Sequence, residues 1–247
     1  TNFDSLFFAE GIQKEFLSTP NLKKITFRIS PEGSSFDNKW TNEVNGDWLF
    51  RFSPIEEINF VFNDEEFVPD SSADTKPSFK LRCEAGSFEN VTTLKTITYP
   101  ENCYLSLGTG AFANSSIEKF VFPKNSEVYL GGGSTFKNCK NLSDIVFEEG
   151  CKVYCDDNIL NNGVFEGSLW SQTVTKLDLS IFEECNLDFS NFTALQEVVV
   201  GSSDVRSNFS GCINLSVITM NDDAIFMPES LAETPLTSVI IQGSGNL

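Results

Sequence analysis

The chain contains no histidine. That absence excludes Ser-His-Asp and Cys-His nucleophilic sites and histidine-ligated zinc hydrolases, since each needs an imidazole to move a proton or hold the metal. Positive charge is also scarce: 17 Lys and Arg stand against 35 Asp and Glu, for a formal net charge of −18 and a pI near 4.3. A field of that sign repels nucleic acid and anionic lipid head groups, so neither is an expected partner. An acidic surface keeps a Phe-rich chain soluble, and it also suits a basic partner. No run approaches the ~20 apolar residues of a membrane span, so no direct membrane insertion is expected. Nor does a Pro/Gly/Ser linker divide the chain, which predicts one elongated body over residues 1–247.

Phenylalanine is abundant, with 24 copies. Its placement is periodic. Phe136, Leu142, Ile145 and Phe147 in FKNCKNLSDIVF recur as Phe209, Leu215, Ile218 and Met220 in FSGCINLSVITM. Nine aliphatic anchors carry the repeat: Leu22, Ile55, Leu94, Ile117, Leu142, Val174, Leu195, Leu215 and Leu236, separated by 33, 39, 23, 25, 32, 21, 20 and 21 residues. Apolar residues stand three and five places after each anchor, as in Ile25/Phe27 and Ile145/Phe147. That alternation marks a short strand with two residues pointing inward and the one between them outward. A large residue precedes the anchors: Phe16, Leu49, Phe88, Phe136, Phe189 and Phe209 by six, Phe112 and Leu231 by five, Phe165 by nine. One unit cannot bury so much ring surface alone, whereas stacked coils can, so a spine of rings behind the strands is expected. The period is that of leucine-rich repeats.

The predicted architecture is therefore mostly β, within the α/β leucine-rich-repeat class. It is a single right-handed solenoid of about nine coils, with one parallel sheet on the concave side and loops or short helical turns on the convex side. Loop insertions are expected near 30–47, 63–86 and 148–171, which are rich in Asp, Asn, Ser, Gly and Pro. A parallel β-helix is the rival fold. It needs more strands per coil than the one strong strand seen here, joined only by weaker ones at Tyr104 to Leu107 and Val128 to Leu130.

GAFANSSIEKFVFP (Gly110 to Pro123) and STFKNCKNLSDIVF (Ser134 to Phe147) resemble the BspA-type leucine-rich repeat, whose units read roughly AF-x-x-C-x-x-L-x-x-I-x-I-P. The resemblance spans Phe16 to Ile241. Cys139 and Cys212 fill the cysteine slot, and Ser115 and Phe192 replace it elsewhere. The resemblance implies an extracellular or cell-surface protein of adhesion and recognition, and it transfers no catalytic residue. With Thr1 in first place, an export signal or anchor is expected to have been trimmed.

Seven cysteines, Cys83, Cys103, Cys139, Cys151, Cys155, Cys185 and Cys212, are an odd number, so at least one is free or pairs outside the chain. Mostly free thiols are expected, with Cys151 and Cys155 in CKVYC the nearest pair for a disulfide. No cofactor or metal site is expected: zinc lacks ligands here, and the acid-rich loop Asp64, Glu65, Glu66, Asp70 and Asp74 lacks the spacing of a known calcium loop. Adjacent acids such as Glu56/Glu57 or Asp222/Asp223 point to opposite faces of a strand and do not converge on one bond.

The outward positions carry the functional expectation. The first column reads Lys24, Glu57, Thr96, Lys119, Asp144, Lys176, Glu197, Val217, Ser238, with charges alternating in sign. It is expected to form an ion ladder. The second reads Thr26, Asn59, Thr98, Val121, Val146, Asp178, Val199, Thr219, Ile240. Val121 and Val146, flanked by Lys119 and Asp144 with Asp178 and Val199 beyond, are the expected partner-binding ridge for an extracellular protein of a host or neighbouring cell. The alternatives are a carbohydrate-binding role, in which Trp40, Trp48 and Trp170 stack on sugar rings, and a structural spacer displaying another domain.

Overall fold

The structure, a computed structural model, describes residues 21–29, 42–44, 54–62, 79–83, 85–155, 163–228 and 230–243. All nine anchors lead into strands. These are β1 (Lys24–Ile29), β3 (Glu57–Phe62), β5 (Thr96–Thr98), β7 (Lys119–Phe122), β9 (Asp144–Phe147), β11 (Lys176–Asp178), β13 (Glu197–Gly201), β15 (Val217–Asn221) and β17 (Ser238–Gln242). A second strand follows in each coil but the last: β2 (Asn42–Val44), β4 (Phe79–Cys83), β6 (Cys103–Leu107), β8 (Glu127–Leu130), β10 (Lys152–Cys155), β12 (Glu184–Cys185), β14 (Asp204–Val205) and β16 (Ile225–Phe226). The odd strands form a front face and the even ones a second face. Parallel pairing joins β1-β3-β5-β7-β9 and β2-β4-β6-β8-β10 in one stack, and β11-β13-β15-β17 and β12-β14-β16 in another. The chain is thus a mostly β solenoid of stacked parallel sheets.

The second face corrects the expectation of loops or helical turns opposite a single sheet. Strands β2, β4 and β10 lie within stretches predicted as insertions, and β10 shows why: Val153 turns inward between exposed Lys152 and half-buried Tyr154. Such alternation over four residues is a weak signal amid turn-forming neighbours. A single short helix, α1 (Leu169–Thr173), appears among the described residues. It is capped by Ser168, whose Oγ accepts from the Ser171 N–H at 3.2 Å. The helix occupies the interval between Phe165 and Val174, which accounts for their unusual spacing.

The rings stack as the repeat requires. Phe88–Phe112, Phe112–Phe136 and Phe136–Phe165 have centroids 5.0, 5.4 and 5.6 Å apart and lie within 13° of parallel. Around each ring the backbone passes through the left-handed region twice. Gly86, Gly110, Ser134 and Gly163 stand two residues before, and Asn90, Asn114, Asn138 and Gly167 two residues after. Gly and Asn tolerate that conformation best. The turns also bond coil to coil, for example Phe88 N–H to Ala111 O at 2.6 Å and Phe112 N–H to Thr135 O at 2.8 Å. In the later, shorter coils the turn changes: Ser190 N–H donates to Asp188 Oδ1 at 2.9 Å and Ser210 N–H to Asn208 Oδ1 at 3.0 Å. These are Asx turns, in which a side-chain oxygen replaces a backbone acceptor.

Between the two stacks, front pairing stops at β9 and resumes at β11, while the Val153↔Phe182 bridge joins the second faces. The interior nevertheless continues. Trp170 packs edge-on between Phe165, 4.9 Å away, and Phe192, 5.3 Å away, and the buried residues from Ile55 to Ile218 form one hydrophobic cluster.

Candidate recognition surface

Strand register fixes the outward columns. Lys24 lies opposite Glu57, Glu57 opposite Thr96, Lys119 opposite Asp144, and Lys176 opposite Glu197. Side chains close the ladder at 2.7 Å for Lys24–Glu57, 3.0 Å for Lys119–Asp144 and 2.8 Å for Lys176–Glu197. Glu57 also accepts from Asn59 Nδ2 at 2.8 Å, and this bond, followed by the one from Lys24, holds its carboxyl below the usual range. A parallel row sits one residue earlier, where Glu56 bridges Lys23 at 2.7 Å and Lys95 at 3.7 Å. All these pairs are substantially exposed, so solvent screens them and each is worth little to stability.

In the next column Val121 lies opposite Val146, and in the other stack Asp178 lies opposite Val199 and Val199 opposite Thr219. None of the described residues in either outward column is buried. The structure thus brings Lys119, Val121, Asp144 and Val146 together as one patch and Asp178 with Val199 as another, without pairing between β9 and β11 to make the ridge continuous. Asp178 has a local task as well: its Oδ1 accepts from Ser180 N–H at 2.9 Å and Ser180 Oγ–H at 2.6 Å, closing the turn after β11.

The tryptophan expectation is corrected at Trp170. It is only 6% exposed, its ring held against Phe165 and Phe192, so neither face is open to a sugar. The capped helical turn swings it inward, where burying its large ring contributes more than exposure. Trp40, Trp48 and the acid-rich loop from Asp64 to Asp74 lie outside the described residues. Among the described residues no group of three or more His, Cys, Asp or Glu is placed to hold a metal.

Cys139 and Cys212 have a structural role. Each is buried and donates its S–H to the ring residue's carbonyl one coil earlier, Phe112 O at 3.0 Å and Phe189 O at 3.2 Å. Cys151 and Cys155 bracket a strand, so four extended residues hold them about 13 Å apart, too far for a disulfide.

The second face presents residues the repeat pattern did not single out. Three of the chain's four tyrosines, Tyr104, Tyr129 and Tyr154, sit half-buried there on β6, β8 and β10, with Tyr129 directly opposite Tyr154. Burial first, then the Glu183 and Glu127 charges, push the Tyr154 hydroxyl above its ordinary pKa. Their common place between inward residues, in CYLSL, EVYL and KVYC, was the available signal.

Stacked parallel strands, a buried ring spine and charge-laddered outer columns define a leucine-rich-repeat solenoid. Residues 81–188 match the family model described as BspA type Leucine rich repeat region, in 6 copies. Neither a curated protein nor a solved structure matches the chain. That repeat type characterises bacterial surface proteins, its general role is protein interaction or adhesion, and such solenoids are typically non-enzymatic. Among the described residues no helix is long and apolar enough to cross a membrane.

Proposed function

We propose that this chain is a non-enzymatic recognition module of the cell exterior, secreted or displayed at the surface, which adheres to an extracellular protein of a host or neighbouring cell through its front face. The observation that carries this reading is the patch on β7 and β9, where Val121 and Val146 lie side by side and the Lys119–Asp144 pair borders them. An apolar strip that can be desolvated, edged by charges that fix orientation, suits a protein partner. A basic rim on that partner would complement the net charge of −18.

The test is binding of the purified chain to a panel of secreted host proteins, beside the double variant Val121→Asp with Val146→Asp. Both side chains point away from the core, so the double variant keeps its circular dichroism spectrum. The reading expects it to lose at least tenfold in affinity for a partner of the parent protein. Unchanged affinity would remove the front patch from recognition and direct attention to the tyrosines of the second face.

A further inference from the structure

On the second face the inward positions form one column along both stacks. Cys83 lies opposite Leu107, Leu107 opposite Leu130, and Leu130 opposite Cys155; across the junction, Cys185 lies opposite Val205 and Val205 opposite Phe226. Cys155 and Cys185 are therefore consecutive members of that column, one on each side of the place where the stacks meet. The nearest bridge confirms the alignment: Val153 pairs with Phe182, and the next inward residue on each side is the cysteine. One residue, Tyr154, separates the inward pair on β10, whereas two exposed glutamates, Glu183 and Glu184, separate them on the other strand. The two thiols are close enough to perturb one another electrostatically. Both are in the thiol form here, with Cys155 half-buried and Cys185 buried.

No other pair among the described cysteines is so placed. Ser126 stands between Cys103 and Cys151, its Oγ bonded to Cys103 Sγ at 3.5 Å and its carbonyl to the Lys152 N–H at 2.9 Å. Cys83 and Cys103 occupy opposite ends of neighbouring strands, because Cys83 faces Leu107 while Cys103 faces Phe79.

We infer that Cys155 and Cys185 are a disulfide-forming pair that clasps the two sheet stacks together when the protein meets a disulfide oxidant. In the first step the half-buried Cys155 thiolate attacks one sulfur of an oxidant such as oxidised glutathione, breaking its S–S bond and releasing one glutathione thiolate. In the second the Cys185 thiolate attacks the Cys155 sulfur of the mixed disulfide, expelling the second glutathione. Two thiol protons pass to solvent or to the departing thiolates. The protein thiols are oxidised and one glutathione disulfide is reduced to two thiols.

Access rather than acidity gives the first attack to half-buried Cys155, and acidity suits buried Cys185 to the resolving step. Burial would push the Cys185 thiol up, but hydrogen bonds from Cys155, Ser207 and the Leu187 N–H outweigh it and leave the group more acidic than usual. Cys155 is held up instead, first by its interaction with Cys185 and then by burial. In the structural thiols burial outweighs such hydrogen bonds, pushing Cys103 and Cys139 up to about 11 and Cys151 and Cys212 up to about 12.

The experiment treats the native full chain with oxidised glutathione at mildly alkaline pH and reads intact mass, linked peptides and melting temperature. The expected product has lost the mass of two hydrogen atoms, yields a peptide joining Cys155 to Cys185, and melts about 5 °C higher until dithiothreitol reverses the change. Cys155→Ser should abolish both the mass loss and the shift. Cys185→Ser should leave Cys155 capped by one glutathione, since the resolving thiol is gone. An unaltered mass, a link through any other pair, or a glutathione cap that persists on the parent protein would overturn the inference.

Discussion

Replacing Phe136 by alanine removes a central ring of the stacked interior. Phe136 is fully buried, parallel to Phe112 at 5.4 Å and Phe165 at 5.6 Å, and edge-on to Phe120 at 4.8 Å. Truncating a buried Phe to Ala costs about 3–5 kcal/mol through lost transfer free energy and the cavity left behind. The rings above and below are themselves pinned by further rings, so the site collapses poorly and about 4 kcal/mol is the expected loss. Against a typical stability of about 5–15 kcal/mol, that is a large fraction of the total. Urea unfolding followed by circular dichroism should show it as a much lower midpoint. Because coils contact only neighbours, the transition is also expected to broaden as the stack around β5–β9 loosens before that around β11–β17. Val121→Ala on the half-exposed outer face is the control, expected to cost less than about 1 kcal/mol. A loss below about 1 kcal/mol for Phe136→Ala would refute the idea of a shared ring spine.

Two further outcomes follow from the charges. Lys176→Glu places like charges opposite each other where the parent has a 2.8 Å ion pair with Glu197; the variant should lose about 1 kcal/mol at low salt. Most of that difference should vanish in about 1 M salt, where the screening length falls to about 3 Å, and a salt-independent loss would assign the effect to packing. Glu56, whose carboxyl is held below 4.5 first by its hydrogen bond to Lys23, stabilises the fold above that pH and ceases to do so as the pH falls through its lowered value. Melting temperature measured across that acid range should therefore decline less steeply for Glu56→Gln, and parallel curves would contradict the assignment.

The front face was legible because its signal is redundant. Each anchor is tied to two inward residues and a preceding large apolar residue, so the outward columns match the observed register within each stack, as at Lys24–Glu57, Val121–Val146 and Asp178–Val199. The second face was not, since β12, β14 and β16 are two residues long and none carries an anchor. The sequence places Asp178 and Val199 just beyond Val121 and Val146, because spacing alone does not say that pairing lapses between β9 and β11. The 32-residue interval before Val174 marks the place, since coils of 23 and 25 residues give way there to coils of 20 and 21. The turn chemistry changes with them, from left-handed Gly and Asn to Asx turns. Trp170 was misplaced because GSLWSQ reads as loop until Ser168 is recognised as a helix cap. Cys155 and Cys185, 30 residues apart, become neighbours only through stacking.

At the far end of the stack, β17 leaves inward positions open, with Val239 52% and Ile241 65% exposed. The same residues one coil earlier show the contrast, for Ile218 is fully buried beneath β17.

Amide hydrogen exchange on the native chain tests the two-faced solenoid most directly. If paired strands line both faces, amides of β6 and β8 should be protected to a degree comparable with those of β7 and β9, opening only with the stack. Exchange in β6 and β8 at the rate of free peptide, with β7 and β9 still protected, would leave one sheet backed by loops and contradict the architecture described.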